Sequence, residues 1–369
     1  MKITTTKEKI LNAVQLAERV TGKKETLPVL SCVLLEAGGS SKGEMVVRAT
    51  NLEAGIEISI PCDVEDKGMV AVSAAVLSQT LKSISGEKII FKTEDGNLVI
   101  ESRGTRTLIK AIPHEEFPAL GSGTDTKGIT ISREELMRGV QSVSYAASPS
   151  MIRPELGSVY VSVRPGSIVC VATDSFRLAE KTINGVKSKN ETDLLIPLKH
   201  ALELAHVLER IGNDEVQLSA DDSQMSVSAD GVRYVSRVVD GTFPNYKEIM
   251  PKKFETEATV LKNDFAEMLR KARVFSGNDQ HVGLHIYPKR KVFSATARSA
   301  EVGEMSDSID AAISGEDLDI NFHIGYLADC LSVVESDSIV FGFAGAGRPL
   351  VISGVSDPSF TYLVMPLNR

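Results

Sequence analysis

The chain has 369 residues, of which 42% are hydrophobic and 24% are charged, and its formal net charge is −8. This length exceeds what one hydrophobic core holds and predicts two or three domains of a soluble globular protein. The acidic charge argues mildly against a simple basic nucleic-acid-binding protein. No run approaches the ~20 apolar residues of a membrane span, and the first ten residues lack the apolar stretch of a signal peptide. Four scattered cysteines without a CxxC pair predict buried thiols in a reducing, cytoplasmic compartment.

Three segments of the chain open with the same pattern, a short β-like stretch followed by a helix signal. They begin at Ile3, Ile129 and Ala258. The first two helices start with the Ser/Thr-x-x-Glu spacing of a capping box, and the third has a weaker version: Thr5 with Glu8, Ser132 with Glu135, and Asp264 with Glu267. Apolar residues follow each cap at helical spacing, which predicts an amphipathic helix in each segment.

A second helix and a hairpin recur later in each segment. The helices are predicted from Ser73, Pro197 and His323. The hairpins after them are predicted to turn at Asp95-Gly96, at Asp230-Gly231 and at the glycines of GFAGAGRP. The repeat is roughly 125 residues long, well above the length of a solenoid repeat.

This pattern predicts an α+β fold of three repeated domains, each with helices on one face of antiparallel sheets. The domains are expected at residues 1–124, 125–254 and 255–369. Loop-like composition places the boundaries in Gly121–Gly128 and near Pro251–Ala258.

Signals for catalysis are weak, and no catalytic residue, metal or cofactor is predicted. Gly345-x-Gly347 lacks the third glycine of a dinucleotide site and is better explained as a hairpin turn. His281 and His285 have the spacing of helical metal ligands, but their segment alternates like a strand. Asp174 precedes Ser175 without a histidine to pair with them, which favours a turn.

Basic residues cluster on the first helix of the first and third repeats. Two interpretations stay open from the residues alone. The lysines and arginines belong either to a solvated helix face, as charges on helices usually do, or to one surface that meets a polyanion.

Six short sequence segments, in the order in which they occur, resemble those of a known family. TLPVLSCVLLE, ATNLEAGIEISIP, RPELGSVYV, VATDSFRLA, VVDGTFPNYKEIMP and the terminal YLVMPLNR resemble the β subunit of bacterial DNA polymerase III, the sliding clamp. The resemblance covers the whole chain and includes the threefold repeat. It implies a non-catalytic processivity factor for DNA replication, which encircles duplex DNA without sequence preference as a head-to-tail homodimer, a ring of six domains.

The resemblance also implies positions for the ring's contacts. Residues expected to line the hole and face DNA are Lys24, Lys82, Arg138, Lys199 and Lys271. The junction between the first domain of one chain and the third of the other is expected to use apolar side chains and rim charges: Ile109, Val274 and Phe275, with Arg103 and Arg106 facing Glu301 and Glu304. The net charge of −8 then fits an acidic outside around a basic lining.

The end of the chain is apolar, whereas most domains end in polar, poorly ordered residues. The tail could therefore be the last strand of a core or a surface that contacts a partner. In the family, the tail ends a strand and also forms one lip of a cleft for short peptides of the polymerase catalytic subunit, the clamp loader and repair proteins. The matching residues are Leu156, Thr173, Phe176, Arg177, Leu178, Pro244, Ile249, Leu363, Met365, Pro366 and Leu367. Arg177 and the backbone are expected to supply polar contacts.

This sequence departs from the family pattern at several cleft positions. Ser175-Phe176 replaces a common Gly-His, and Glu248 replaces a common basic residue, so the preferred peptides are left open. Two other classes of function also stay open at this point. One is an enzyme whose site is assembled across domains, and the other is a repeated scaffold that never meets DNA.

Overall fold

The computed structural model describes residues 1–22, 27–39, 43–120, 128–188 and 191–367. Lys24, most of the first predicted boundary and the last two residues lie outside these ranges. The chain forms two compact units, Met1–Met137 with Leu202–Val238, and Arg138–Ala201 with Val239–Arg369. Among the described residues, no helix is both long and apolar enough to cross a membrane.

The first repeat contains ten strands and two α-helices among its described residues. In chain order these are β1 Lys2–Thr6, α1 Lys7–Val20, β2 Cys32–Ala37, β3 Glu44–Thr50, β4 Ala54–Pro61, β5 Asp63–Asp66, β6 Gly68–Ser73, α2 Ala74–Ser83, β7 Lys88–Glu94, β8 Asn97–Ser102, β9 Thr105–Ile109 and β10 Ala111–Ile112.

The middle repeat follows the same order with fewer strands. Its elements are β11 Ile129–Ser132, α3 Arg133–Ser144, β12 Ser158–Arg164, β13 Gly166–Thr173, β14 Arg177–Val186, β15 Thr192–Pro197, α4 Leu198–Arg210, β16 Glu215–Ala220, β17 Gln224–Ala229 and β18 Val232–Arg237.

The third repeat returns to the longer form. Its elements are β19 Thr256–Leu261, α5 Lys262–Phe275, β20 His281–Tyr287, β21 Val292–Ser299, β22 Gly303–Ile309, β23 Ala311–Gly315, β24 Leu318–His323, α6 Ile324–Asp329, β25 Ser338–Phe343, β26 Leu350–Gly354 and β27 Phe360–Val364.

Each repeat contributes strands to two sheets, and two of the sheets contain strands from two consecutive repeats. In the first unit, a five-stranded sheet has the order β5-β1-β7-β8-β9, and a nine-stranded sheet has the order β10-β6-β2-β3-β4-β18-β17-β16-β11. In the second unit, a nine-stranded sheet has the order β15-β12-β13-β14-β27-β26-β25-β19-β23, and a four-stranded sheet has the order β22-β21-β20-β24. The three repeats therefore pack into two compact units, because each long sheet joins strands from two of them.

The two places where repeats join follow one rule. In the first unit, β4 pairs antiparallel with β18, and Gly55 lies opposite Val235. In the second unit, β14 pairs antiparallel with β27, and Leu178 lies opposite Leu363. Gly55 and Leu178 are each the second residue of the fourth strand of a repeat. Val235 and Leu363 are each the fourth residue of the last strand of the following repeat. The register of the two junctions is therefore the same.

The helices bury the faces that the sequence predicts. Ile10, Val14 and Ala17 of α1 are buried, as are Phe265 and Met268 of α5. Capping is less well predicted, since α1 begins after Thr6 without a side-chain cap, whereas the N–H of Glu135 does approach the Ser132 hydroxyl at 3.4 Å. The first capping box is therefore wrong and the second is formed in part.

The predicted hairpin turns are confirmed. Asp95 and Gly96 between β7 and β8 have φ of 47° and 76°, and Asp230 and Gly231 between β17 and β18 have φ of 50° and 73°. Only small or turn-forming residues adopt this region readily, which is why Asp-Gly predicts such turns.

The four cysteines are free thiols, of which Cys32, Cys170 and Cys330 are buried and Cys62 is half-buried. Burial raises the pKa of the Cys170 thiol to about 12.

Candidate functional site

A tight turn between β13 and β14 presents Phe176 to solvent. The Thr173 hydroxyl donates to the Arg177 carbonyl at 2.6 Å, and the Asp174 carboxylate accepts from the N–H groups of Phe176 and Arg177 at 2.9 and 3.0 Å. Ser175 has a φ of 80°. These bonds confirm that Asp174-Ser175 is a turn, and they leave the Phe176 side chain 61% exposed.

The end of the chain runs beside this turn. The strand β27 ends at Val364, and the chain continues with the Met365 N–H donating to the Phe176 carbonyl and the Leu367 N–H donating to the Asn321 carbonyl, both at 2.8 Å. Met365, Pro366 and Leu367 are half-buried. The tail is therefore both the end of a core strand and an ordered apolar border of the surface next to Phe176.

An apolar cluster underlies the turn and the tail. Leu178 and Leu363 face each other across β14 and β27, and both are buried. Val171, Leu195, Phe243 and Tyr246 complete the buried part, and Met250 and Met365 pack against it. The Phe243 ring stacks on Tyr160 with ring centroids 4.8 Å apart.

The remaining predicted cleft residues occupy three situations. Pro244 and Ile249 are exposed on the segment that carries Phe243 and Tyr246, and the Pro244 carbonyl accepts from the Tyr246 N–H at 2.7 Å. Pro366 lies within the tail. Leu156 is buried in the turn after α3, where its carbonyl accepts from the Ser148 N–H at 2.9 Å, and it lies outside the described apolar cluster.

The Arg177 side chain is paired within the chain. Its Nε donates to the Asp174 carboxylate at 3.0 Å, and its Nη1 donates to Asp329 of α6. The guanidinium carbon lies 4.5 Å from the centre of the Tyr326 ring and 5.7 Å from that of Tyr145. The side chain is only 13% exposed. The guanidinium is therefore held by side chains of its own chain.

Three tyrosines surround this guanidinium. The Tyr362 hydroxyl donates to the Tyr326 carbonyl at 2.9 Å, and the Tyr145 and Tyr362 rings lie 5.7 Å apart. Burial raises the pKa of the Tyr145 hydroxyl well above its usual value. Burial alone would lower the pKa of Arg177, but Tyr362, Asp329 and Asp174 together raise it. The arginine is therefore a permanent cation at the base of the surface.

Of the residues expected to face DNA, the four that the structure describes are exposed on helices, and ion pairs with acidic side chains are seen for Lys271 and Arg138. Lys82 lies in the last turn of α2, and Lys199 lies near the start of α4. Lys271 of α5 forms an ion pair with Asp307 of β22 at 2.7 Å, and Arg138 of α3 lies 3.5 Å from Glu335. Exposed pairs of this kind are weak and exchange readily for another anion.

Two strand edges carry the residues expected at the ring junction. β9 ends the five-stranded sheet, and Arg106 on it forms an ion pair with Glu94 of its own chain. β22 ends the four-stranded sheet and carries Glu304, which lies 3.9 Å from Arg298. Arg103 lies in the turn before β9 and Glu301 in the turn before β22.

One apolar residue expected at the junction is buried within a single chain. Ile109 is only 5% exposed because it packs into its own sheet, whereas its neighbour Leu108 is 43% exposed. Side chains alternate along a strand, so the outward apolar residue of β9 is Leu108. Val274 is 62% exposed at the end of α5, and Phe275 beside it is half-buried.

His281 and His285 lie on a strand, as the alternation predicts. The two ring nitrogens of His285 contact the Asp319 carboxylate at 2.5 Å and the Thr296 hydroxyl at 2.8 Å. In the part of the chain that the structure describes, no three acidic, histidine or cysteine side chains gather as metal ligands would. His285 is therefore explained as a member of a surface hydrogen-bond network, and His281 as a strand residue opposite His323.

Sequence reasoning missed the partners of Arg177 and the exposed Leu108. Asp329 lies 152 residues from Arg177, so no local pattern joins them. Leu108 and Ile109 are adjacent and both apolar, so alternation alone does not say which of them faces outward.

Comparison with known proteins agrees with this architecture across the whole chain. Residues 1–121, 130–245 and 247–368 match the N-terminal, central and C-terminal domain families of the DNA polymerase III beta subunit. The beta sliding clamps of Bacillus subtilis and Pseudomonas aeruginosa are 26% and 24% identical to the chain, with all of the chain and all of each relative covered.

Solved structures show the same fold. The DNA polymerase III beta subunit of Thermotoga maritima is 26% identical with a TM-score of 0.94, and the DNA polymerase sliding clamp of Bacillus subtilis is 25% identical with a TM-score of 0.94. Each alignment covers all of this chain and 99% of the other. With three domain families matched in order from end to end, the chain belongs to the bacterial DNA polymerase III beta subunits, the beta sliding clamps.

Proposed function

We propose that this sliding clamp, a processivity subunit and not an enzyme, closes head to tail with a second copy into a ring around duplex DNA. We propose further that it holds its partners through the apolar surface beside Phe176. The three domains are assigned to residues 1–124, 125–254 and 255–369, and the protein to the cytoplasm. The observation that carries the ring is the rule by which repeats join.

That rule leaves two strands of the described structure without their counterparts. The fourth strand of the first repeat pairs with the last strand of the middle repeat, and the fourth strand of the middle repeat pairs with the last strand of the third. The fourth strand of the third repeat is β22 and the last long strand of the first is β9, and each lies at a sheet edge. Pairing β22 of one copy with β9 of another joins four strands to five, as in the two nine-stranded sheets.

The same rule predicts the register of the junction. The second residue of β22 is Glu304 and the fourth residue of β9 is Leu108, so these two lie opposite each other. Ser306 then lies opposite Arg106. Two copies can form this pair twice, once at each junction. The pairing satisfies the unpaired N–H and C=O groups of β9 and β22 and removes sheet edges that otherwise favour aggregation.

Charges near this junction favour the correct partner. Arg103 and Arg106 lie at one edge, and Glu301 and Glu304 lie at the other. Arg106 and Glu304 have exposed partners within their own chain, which they exchange at little cost on association. Such rim charges select register and partner more than they add affinity.

DNA is held in the ring by topology, so its individual contacts are weak. We assign Lys24, Lys82, Arg138, Lys199 and Lys271 to the lining. Phosphates compete with Asp307 for Lys271 and with Glu335 for Arg138. Weak, screened contacts allow sliding, and they are compatible with the net charge of −8.

The apolar surface suits short peptides with aliphatic and aromatic side chains. Phe176 and Ile249 are exposed above the cluster of Leu178, Leu363, Phe243 and Tyr246, with the tail as a border. Burial of a few such side chains dominates peptide affinity, and Met250 and Met365 repack for different ligands. We assign the polymerase catalytic subunit, the clamp loader and repair proteins as the partners.

A topological assay tests the ring. The protein is loaded onto a nicked circular plasmid with a clamp loader and ATP, and the complex is separated by gel filtration in high salt. The protein is expected to stay with the circle and to leave once the plasmid is cut at one site. Retention that survives cutting, or loss from the uncut circle with salt alone, would contradict enclosure of DNA.

A further inference from the structure

We propose that Arg177 is a positioning residue, which locks the turn Thr173–Arg177 to α6 and thereby sets the shape of the peptide surface, and that it does not itself bind the peptide. This inference rests on the proposed peptide site. It makes an apolar fit, rather than recognition of an acidic group, the basis of peptide selection.

An internal comparison separates the turn from its arginine. In the first repeat, the Thr50 hydroxyl donates to the Ala54 carbonyl at 2.9 Å, and the Asn51 side chain accepts from the N–H groups of Glu53 and Ala54. Leu52 has a φ of 73°, as Ser175 has 80°. The turn is repeated bond for bond with Ala54 in the place of Arg177, so the arginine is not needed to form it.

The continuation of the chain is repeated as well. The Arg237 N–H donates to the Glu53 carbonyl at 2.8 Å, just as the Met365 N–H donates to the Phe176 carbonyl. The backbone framework at both places is therefore the same. What differs at the proposed peptide surface is the tie from the last residue of the turn to a helix, because Ala54 has no polar side chain to form one.

Arg177 provides that tie. Its Nε is bound to Asp174 within the turn, while its Nη1 is bound to Asp329 and its plane lies near the Tyr326 ring, both on α6. Asp174 belongs to the middle repeat and Asp329 to the third, within the same compact unit. One guanidinium thus spans the junction between these repeats, on the residue that follows Phe176.

The lock extends to the tail. Tyr326 carries the guanidinium on its ring, and its carbonyl accepts from the Tyr362 hydroxyl on β27. The Phe176 carbonyl, next to Arg177, holds Met365. A shift of Arg177 would therefore move the Phe176 border and the tail border together.

Ligand binding by the same guanidinium is disfavoured. Turning it toward a peptide carboxylate would leave Asp174, which is 12% exposed, without its cation. The carboxylate would keep only its two backbone N–H donors, and the loss of the cation from a largely buried ion pair is costly. We therefore expect peptide affinity to depend little on salt.

The experiment uses a property of the chain, which contains no tryptophan. Phe176→Trp places a single reporter on the turn. Its anisotropy is measured alone and in combination with Asp329→Asn or Arg177→Ala, with Glu335→Gln as a matched control because Glu335 forms its ion pair with Arg138 and not with Arg177. Affinity for a labelled Gln-Leu-Ser-Leu-Phe peptide is measured in the same variants with Phe176 retained.

The positioning role predicts that Asp329→Asn and Arg177→Ala both lower reporter anisotropy and both weaken peptide binding by about tenfold. Their combination is expected to be no worse than either alone, and Glu335→Gln to change neither reading. Arg177→Lys is expected to restore part of the affinity, since it keeps the charge between the two carboxylates.

Direct binding by Arg177 predicts a different pattern. Asp329→Asn would then free the guanidinium and leave affinity equal or higher, while Arg177→Ala alone would lower it, and that result would overturn the proposal. Unchanged reporter anisotropy in both variants would also overturn it. If the unmodified protein bound no peptide, the proposed peptide site would fail, while the reporter would still decide whether Arg177 positions the turn.

Discussion

Leu178 and Leu363 lie directly opposite each other on β14 and β27, where the middle repeat joins the third. Both are buried and belong to one apolar cluster, against which Met365 of the tail packs. The same backbone pairing thus holds two repeats together and builds an apolar surface. Substitutions of buried residues and of exposed residues are expected to separate the stability of the junction from peptide binding.

Leu363→Ala is expected to destabilise the fold and to abolish peptide binding. Removal of a fully buried leucine side chain costs about 2–5 kcal/mol of the free energy of unfolding. Ile249→Ala, in contrast, changes a side chain that is 52% exposed and should weaken binding with little loss of stability. Denaturant unfolding and peptide anisotropy on the same samples separate the two effects.

Truncation after Val364 should remove the tail border and leave the core strand. The shortened protein is expected to keep its secondary structure and to lose saturable binding of a labelled Gln-Leu-Ser-Leu-Phe peptide. Equal binding by the intact and truncated proteins, measured by fluorescence anisotropy, would show that the tail forms no part of the peptide site.

Reversal of charge in the proposed lining should weaken retention on DNA. Lys24→Glu combined with Lys271→Glu is expected to shorten the lifetime on linear duplex DNA, from which a ring can slide off, and to flatten its salt dependence by about 0.9 in logarithmic slope for each phosphate that is no longer neutralised. Asp307→Asn is the matched control, because it releases Lys271 from its ion pair and should lengthen retention. Identical lifetimes for all three proteins would contradict the assigned lining.

Leu108→Asp should dissociate the ring. A charged side chain at the exposed position of β9 opposes association, while the fold of one copy is expected to persist. Sedimentation equilibrium should change from twice the 39.8 kDa of one chain to a single chain. Val355→Asp, at a position 58% exposed in the turn before β27, is the control that should leave the mass unchanged.

Acid should weaken the junction of β14 and β27 through Asp357. Burial tends to raise the pKa of this carboxyl, but hydrogen bonds from Ser359 and Lys181 outweigh it and lower the pKa below its usual value. Since the folded state binds the proton less tightly, the stabilisation is present above the unfolded pKa and is lost as pH falls through the folded one. The free energy of unfolding should therefore fall below about pH 4.

Asp357→Asn tests this link. The variant leaves Lys181, which is 8% exposed, beside a neutral partner, so it should lose about 3 kcal/mol at pH 7 and show a flatter decline in acid. Denaturant titrations from pH 3 to 7 measure both. If the free energy of unfolding changed with pH as steeply in the variant as in the unmodified protein, the acid sensitivity would belong to other carboxylates.

The local parts of the fold were predictable because their signals are local. Alternation and Asp-Gly pairs predict the hairpins at Asp95 and Asp230, and helical spacing predicts the buried faces of α1 and α5. Thr5 failed as a cap because the strand β1 extends through Thr6, and an error of one residue is enough to miss a cap.

The candidate site was predictable only in part. Its turn and tail contain recognisable sequence motifs. The contact between Arg177 and Asp329, in contrast, depends on packing between distant segments. The burial of Ile109 and the exposure of Leu108 could not be predicted, because side-chain direction in a five-residue strand depends on register, which composition does not reveal. The continuity of sheets from repeat to repeat likewise became visible only from strand pairing.

The ring depends on the pairing of β9 with β22, and a disulfide across that pair tests it most directly. Leu108→Cys with Glu304→Cys should give rapid, complete cross-linking into a covalently closed dimer under mild oxidation, because opposite residues have Cβ atoms about 4.5–5.5 Å apart. Arg106→Cys with Glu304→Cys is shifted by two residues and should cross-link poorly. Efficient cross-linking of the shifted pair, or none of the predicted pair in a dimeric protein, would contradict the proposed junction.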